Sequence, residues 1–350
     1  MQLTRKPVIA VLTVAAGLIV AGCNSESTPS ATGAGGTGLA ASTAQPVAAK
    51  PAPKPTCPLT GKVRAKGQRI NRPAVAIKVD NVVGALPQSG VNGADVVVEE
   101  EVEGGLTRLM AIFQCNRVAV VGPIRSARIS DADVLALLHG SVLGFSGANP
   151  KDLPPIRKDS DAALVSPSDA GSIFYRGTEH IAPHNEYSST HAILRAGLHL
   201  RPHLHAPKPL FHYGAISTHA RKAHTVAISW PSASASWTWS HGQWLRTQNG
   251  SIDRQTDGAQ LSARNVVIMR VRLASTGLHD VLGNASPRDV TTGHNPVWVL
   301  RNGKMIKGTW SRPSIKDPLT LKDKSGHVIA LAPGRTWIEL LPAPDKPSTH

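Results

Sequence analysis

The sequence Asp-Val-Val-Val-Glu-Glu-Glu-Val-Glu-Gly-Gly-Leu-Thr-Arg-Leu-Met-Ala-Ile-Phe, at residues 95–113, contains two apolar segments separated by a Gly-Gly pair. Short runs of β-branched and apolar residues that end at glycine are typical of strands. We therefore expect one strand over residues 95–103 and a second over residues 106–113. The apolar run at residues 74–79, which ends at Asp80-Asn81, predicts another buried strand.

Glutamates are concentrated in the first strand of that stretch. Because successive side chains point to opposite faces of a strand, Glu99, Glu101 and Glu103 are predicted on one face and Glu100 on the other. Ionised carboxylates cannot be buried without partners, so the three are expected either to be solvated or to line a site. Arg108 in the next strand is a candidate partner.

Two arginines, Arg125 and Arg128, precede a predicted helix that begins near Ser130 and runs to about residue 139. Ser130 and Asp133 fit a capping box, in which the two side chains satisfy backbone groups of the first turn. Arginines beside a helix N-terminus attract anions. Two interpretations stay open: the arginines neutralise the glutamates of the preceding strand, or they bind an anionic ligand.

The second half of the chain has a different composition. All 7 tryptophans lie between residues 230 and 337, and short apolar segments at 265–272, 297–301, 305–310 and 336–341 predict strands. Asn302-Gly303 predicts a two-residue hairpin turn. The tryptophans are expected to form the core of a β-rich domain, with stacking on cell-wall sugars as the alternative.

The N-terminus predicts where the protein acts. Arg5 and Lys6 precede an apolar run at residues 8–20, which is shorter than the roughly 20 residues of a transmembrane helix and ends in Val-Ala-Gly-Cys. This pattern indicates a lipoprotein signal peptide at 1–22 and a diacylglyceryl anchor, with palmitate among its acyl chains, on Cys23; an ordinary signal peptide is the alternative. The Ser, Gly, Ala and Pro of residues 23–56 predict a flexible linker. We expect attachment to the cell membrane on its extracytoplasmic face.

Charge and cysteine content narrow the expected partners. The 38 Lys and Arg against 23 Asp and Glu give a net charge of +15, which favours a cell-wall polyanion or another envelope protein as partner; the extracytoplasmic location argues against nucleic acid.

Cys57 and Cys115 remain after lipidation, either as a disulfide or as two buried thiols. Six histidines occur at residues 199–224, but Pro202 interrupts their best helical spacing, so no metal site and no cofactor are expected.

The length of 350 residues exceeds what one hydrophobic core usually supports. We predict an α+β protein with a mixed α/β domain at residues 57–205 and a β-rich, mostly antiparallel domain at residues 206–345.

Several short motifs carry a resemblance to a known family. The chain resembles the YerB family of bacterial lipoproteins in Pro58-Leu59-Thr60-Gly61, Val79-Asp80-Asn81, Pro87-Gln88-Ser89-Gly90, Arg125-Ser126-Ala127-Arg128, Ala182-Pro183-His184-Asn185, Asn265-Val266-Val267 and Pro333-Gly334-Arg335-Thr336-Trp337-Ile338. The resemblance runs in order over roughly residues 57–342. It implies an envelope lipoprotein with two domains of unknown function and no established reaction.

Polar residues at strand ends and in turns form the candidate site, because sites on α/β scaffolds usually form there. Its members are Asp80, Asn81, Glu99, Glu103, Arg108, Arg125, Arg128, His184 and Asn185. We expect a groove that binds an anionic or zwitterionic envelope ligand. One alternative is a cell-wall hydrolase in which Glu99 or Glu103 acts as acid or base with help from His184. A structural or assembly lipoprotein held together by a salt-bridge network is the other.

Overall fold

Residues 95–113 form the two expected strands, Val96–Glu101 and Thr107–Phe113, which pair antiparallel with Val98 opposite Met110. A short 3₁₀ turn at Glu103–Gly105 joins them. The computed structural model in which this is seen describes residues 54–216 and 219–349. The predicted signal peptide at 1–22, Cys23 and all but the last three residues of the predicted linker therefore lie outside the described residues.

The first half of the described chain mixes strands with four helices. In chain order its elements are β1 (Ala74–Asp80), β2 (Val96–Glu101), β3 (Thr107–Phe113), α1 (Asp131–Ala136), β4 (Ser141–Gly144), α2 (Leu153–Ser160), β5 (Ala163–Val165), α3 (Pro167–Ala170), β6 (Tyr175–Arg176), β7 (Glu186–Tyr187) and α4 (Thr190–Leu200).

The described residues of the second half form strands and no α-helix. In chain order these are β8 (Arg221–Lys222), β9 (Thr225–Trp230), β10 (Ala233–Ser240), β11 (Gln243–Gln248), β12 (Ser251–Ile252), β13 (Ser262–Ala263), β14 (Asn265–His279), β15 (Ala285–Val290), β16 (Gly293–Arg301), β17 (Lys304–Arg312), β18 (Thr320–Asp323), β19 (Thr336–Pro342) and β20 (Ser348–Thr349). The α+β class is confirmed, with a mixed first half and a β-rich second half.

A 12-stranded sheet runs through both halves in the order β18-β17-β16-β14-β19-β2-β3-β1-β4-β5, with β15 and β8 attached at the side. Its centre is β19, which is parallel to β14 on one side and to β2 on the other. The sheet is therefore continuous across the predicted boundary between residues 205 and 206. A second sheet of 6 strands contains β9 to β13 and β20.

Both faces of the large sheet are covered, which explains why every residue of β1, β2, β3 and β19 is buried. On one face, Ile77 and its neighbours pack with α4 and with tryptophans of the small sheet, including Trp237 and Trp244. On the other face, Ala76 lies in a cluster that includes Leu135 of α1 and residues of α2.

Most tryptophans lie in these cores, as the sequence predicts. Four are fully buried, Trp230 and Trp298 are at most 8% exposed, and Trp239 packs at the edge of the core. The predicted hairpin is also confirmed, since β16 and β17 join through Asn302 and Gly303, both with positive φ. Burial leaves the six tryptophans other than Trp239 unavailable for stacking on an external sugar.

The predicted capping box at Ser130 is wrong. Helix α1 begins at Asp131 and ends at Ala136, three residues before the predicted end, and Ser130 makes no cap bond. Instead the Ser130 hydroxyl accepts a hydrogen bond from the backbone N–H of Asp289, and Asp133 pairs with Arg288 at 2.7 Å. Both side chains therefore contact β15 and do not cap the helix.

A search for membrane-spanning helices in residues 54–216 and 219–349 finds none that is long and apolar enough to cross a bilayer.

Candidate functional site

Asp80, the last residue of β1, lies at the centre of the predicted site. Its carboxylate accepts a hydrogen bond from Nε of Arg125 at 2.9 Å and lies 2.7 Å from Nδ1 of His184. Asp80 is 1% exposed, whereas the side chains of Arg125 and His184 are 26% and 24% exposed. The structure therefore brings these three predicted residues together at a point that solvent reaches.

Arg108 of β3 lies beside this group, opposite Asp80 in the strand register. Its Nη1 donates to the carbonyl oxygen of Ser126 at 3.1 Å, but Nε has no hydrogen-bond partner among the described residues. Burial, together with the charges of Arg128 and Arg125, lowers the pKa of Arg108 to about 10, although Asp80 opposes the shift. Asp80 and Glu103 lie near enough to act on its charge, but the Nε–H of the guanidinium is not used by any described residue.

Glu103 and Arg128 form a two-pronged ion pair. Nε and Nη2 of Arg128 donate to the two carboxylate oxygens of Glu103 at 2.6 and 2.7 Å, and the hydroxyl of Ser286 donates to the same carboxylate. Burial raises the pKa of Glu103, but the hydrogen bonds and charge of Arg128 outweigh it and hold that pKa below its ordinary value. Glu103 is therefore an ionised partner of Arg128.

Glu99 belongs to a different, fully buried network. It accepts hydrogen bonds from Nδ2 of Asn81 at 3.0 Å and from Nη2 of Arg246 at 2.7 Å, and it is 1% exposed. Arg246 also contacts the carboxylate of Asp253. The carboxylates of Glu99 and Asp253 oppose the effect of burial and hold the pKa of Arg246 above its usual value.

The prediction that Glu99 and Glu103 share one face is wrong. Strand β2 ends at Glu101, and the turn that follows contains Gly104 at φ 69° and Gly105 at φ 67°, so the alternation of the strand does not continue to residue 103. Glu99 pairs with Arg246 and Glu103 pairs with Arg128. The β2 glutamates are buried and not solvated. Glu99 pairs with Arg246 and Glu100 pairs with Lys78, whereas Oε2 of Glu101 has no hydrogen-bond partner among the described residues.

Asn185 is near the site in sequence but has other partners. Its Oδ1 accepts from Nη1 of Arg176 at 2.8 Å, and its Nδ2 donates to the carbonyl of Gly177 at 3.0 Å. Asn185 therefore fixes the loop that carries His184.

Two members of these networks, Gln88 and Arg246, were not predicted from the sequence. Gln88 is fully buried and donates to Oδ1 of Asn81 at 2.8 Å, which orients the amide that contacts Glu99. Arg246 lies between Trp244 and Gln248 on the buried face of β11, and its signal was a single charged residue within that strand. Gln88 could have been found because it stands in the Pro-Gln-Ser-Gly motif.

The remaining sequence candidates involve cysteine and metal chemistry. Cys57 and Cys115 are joined as a disulfide, with their Cα atoms 6.0 Å apart. In the part of the chain that the structure describes, no group of three or more His, Cys, Asp or Glu residues is arranged to hold a metal ion.

Comparison with known proteins identifies similar sequences and one similar structure. Residues 59–201 match the family described as protein of unknown function (DUF3048), N-terminal domain, and residues 225–338 match its C-terminal domain. A Bacillus subtilis (strain 168) protein, provisionally named lipoprotein YerB, is 27% identical over 312 residues, which cover 85% of this chain and 89% of that protein. The crystal structure of YerB protein from Bacillus subtilis is similar in fold, with a TM-score of 0.72 at 24% identity, over 85% of this chain and 100% of that chain.

Proposed function

The chain belongs to the YerB-like family that the two DUF3048 domains define, and from this premise we propose that it is a lipid-anchored envelope protein that binds an anionic ligand. The anchor is the diacylglyceryl group on Cys23, and the folded part lies on the extracytoplasmic face of the cell membrane. The ligand is held by Arg108, Arg125 and Arg128. A cell-wall polyanion and an anionic envelope protein are the two sources of such a ligand.

The anchor is supported by the lipobox-like sequence before Cys23 and by the lipoprotein name of the Bacillus subtilis relative. Two acyl chains hold a protein stably at a bilayer. A Cys23→Ser variant should move from the membrane fraction to the soluble fraction of cells. Retention of that variant in the membrane fraction would argue against the lipid anchor.

One observation carries the ligand proposal: of the three arginines, Arg108 has a guanidinium that no carboxylate contacts by a hydrogen bond. Asp80 pairs with Arg125 and Glu103 pairs with Arg128, while Arg108 has no carboxylate in hydrogen-bond contact. Arginine binds phosphate and carboxylate groups through two parallel hydrogen bonds. An anion beside Arg108 would use its free Nε–H and balance its charge.

Isothermal calorimetry with inorganic phosphate tests this site in the full chain kept in detergent. We expect millimolar affinity that weakens about tenfold in Arg125→Gln, since each lost charged contact changes binding by roughly 1.4 kcal/mol or more. Arg272→Gln, at an exposed arginine of β14, is the matched control and should bind as the unmodified chain does. Equal affinities of all three proteins, or no binding to any, would refute the proposal.

The same geometry favours binding over cell-wall hydrolysis. Glu99 is buried and hydrogen-bonded to Asn81 and Arg246. Arg128 keeps Glu103 ionised, and an ionised Glu103 is a poor proton donor. Incubation of the protein with purified wall polymer should leave the polymer intact and retain protein on it. Release of soluble fragments that depends on Glu103 would instead support the hydrolase. Recovery of a specific membrane partner in the absence of phosphate or polymer binding would support an assembly role.

A further inference from the structure

A cleft of about 760 Å³ differs in chemistry from the site formed by Arg108, Arg125 and Arg128. Its walls come from four segments and Tyr187: residues 89, 90, 92 and 93, residues 118–120, residues 175 and 177–179, and residues 255–257. The volume is within the range of pockets that hold small ligands. None of the residues that we assign to the anion site lines this cleft.

The charge of the cleft is opposite to that of the protein. The whole chain carries +15, yet the cleft walls include two carboxylates, Glu179 and Asp257, and no Lys, Arg or His. Asp257 is already engaged, because it accepts hydrogen bonds from Nε2 of Gln255 at 2.6 Å and from the backbone of Ala259 at 2.9 Å. Glu179 is exposed and has no hydrogen bond or ion pair with any described residue. This carboxylate is therefore available to a cation.

Two tyrosines form one wall of the cleft. The rings of Tyr175 and Tyr187 stack with centroids 5.9 Å apart and planes at 27°. Tyr175 is 48% exposed, whereas Tyr187 is 2% exposed and its hydroxyl has no hydrogen-bond partner within residues 54–216 and 219–349. Buried hydroxyls are normally paired, because an unpaired one loses its bonds to water without replacement. The unpaired hydroxyl indicates that a further polar group belongs here.

Gly177 makes this arrangement possible. A Cβ at that position would lie 2.8 Å from the ring of Tyr187, too close for any side chain. The absence of a side chain lets the segment that follows β6 pack directly on the ring of Tyr187 in β7.

We propose that this cleft binds a primary ammonium group carried by a polar ligand. The carboxylate of Glu179 pairs with the ammonium, and the exposed ring of Tyr175 provides a cation–π contact. The hydroxyl of Tyr187 hydrogen-bonds the polar body of the ligand. The proposal is independent of the anion site, because it uses none of the same residues.

An ammonium of this kind occurs on an amino sugar and on a lysine side chain. Two pairs of probes separate the sources and isolate the ammonium: glucosamine tetramer against its N-acetylated form, and a lysine tripeptide against the same peptide with acetylated side chains. In each pair acetylation replaces the ammonium by a neutral amide, and both lysine peptides carry an acetylated N-terminus so that the α-ammonium is absent from both. Binding to the full chain in detergent is measured by calorimetry at low salt.

We expect one or both amine probes to bind about tenfold more tightly than the acetylated partner. Glu179→Gln should abolish the preference, while Asp161→Asn, an exposed carboxylate outside this cleft, should keep it. The pair in which the amine probe binds more tightly than its acetylated form identifies the source of the ammonium. Equal binding of amine and acetylated probes, or no binding at about 10 mM, would overturn the proposal.

Tyr187→Phe separates a ligand contact from a structural role. The variant removes a hydroxyl that has no partner in the free protein, so its thermal midpoint should be unchanged or higher. Affinity for the preferred amine probe should fall by roughly three- to tenfold. Unchanged affinity would show that the hydroxyl makes no ligand contact, and would contradict that part of the proposal.

Discussion

The guanidinium of Arg246 lies 2.7 Å from the carboxylate of Glu99, and this buried ion pair joins the small sheet to the large one. Arg246 also contacts Asp253. Burial and the nearby charge of Glu99 raise the pKa of Glu339 well above its ordinary value, although Arg246 opposes the shift. The positive charge of Arg246 therefore interacts with three buried carboxyl groups, those of Glu99, Asp253 and Glu339.

Replacing Arg246 with Met should strongly destabilise the fold. The substitution keeps apolar volume but leaves Glu99 and Asp253 buried without their cation, which typically costs about 3–5 kcal/mol. Urea unfolding of the full chain in detergent measures the loss, and Arg272→Met at an exposed position of β14 is the control. A loss no larger than that of the control would show that the ion pair is not needed. If Arg246→Met yields no folded protein while Arg272→Met does, that result also agrees with the prediction.

Glu101 should make stability depend on pH. Burial, with a smaller effect of Asp345, raises the pKa of Glu101 from 4.5 to about 7. The folded state therefore binds this proton more tightly than the unfolded state, so the contribution to stability is complete below pH 4.5 and is lost as pH rises through 7. Glu101→Gln, which stays neutral, should exceed the unmodified chain in stability by about 1–3 kcal/mol near pH 8.5.

The same comparison at about pH 4.5 supplies the internal control for Glu101→Gln, since the carboxyl is then protonated in the folded state and about half protonated in the unfolded state, which changes stability by only about 0.4 kcal/mol. Urea midpoints at the two pH values give the difference directly. A stability gain of equal size at both would mean that Glu101 does not titrate as described.

The disulfide between Cys57 and Cys115 closes a loop with a sequence separation of 58 residues. Cross-linking a loop of that length restricts the unfolded chain and should stabilise the fold by about 4 kcal/mol. We expect dithiothreitol to lower the thermal midpoint of the unmodified chain. The double variant Cys57→Ser/Cys115→Ser should melt at that lower temperature with or without reductant. A reductant-insensitive melting point of the unmodified chain would contradict a stabilising bond.

Gly303→Ala should destabilise the hairpin between β16 and β17. Gly303 has φ +67°, and an added Cβ would lie 2.8 Å from Cδ1 of Trp239. Gly326→Ala is the matched control, because Gly326 has φ +83° but nothing lies within 4 Å of its Cβ position. Both variants strain the backbone by about 1 kcal/mol, and Gly303→Ala should lose about 1–2 kcal/mol more to the clash. Equal losses in urea unfolding would show that Trp239 moves aside freely.

Local patterns predicted much of the fold. Residues 95–113 gave two strands, and Asn302-Gly303 gave a turn in which both residues have positive φ. These features follow from side-chain alternation and from backbone preferences of a few adjacent residues. The predicted capping box at Ser130 is wrong because the Ser130 hydroxyl accepts a hydrogen bond from the backbone N–H of Asp289, which is 159 residues away.

The sequence by itself determined the α+β class, the β-rich second half, the tryptophan core and the polar character of the strand ends, because hydrophobic periodicity and turn residues act over short distances. Only the tertiary structure decided which carboxylate meets which cation. Glu99 meets Arg246 across 147 residues of chain, Glu103 meets Arg128, and Asp80 meets both Arg125 and His184. Ion pairs depend on distances of a few ångströms, and those distances are set by how the sheets pack.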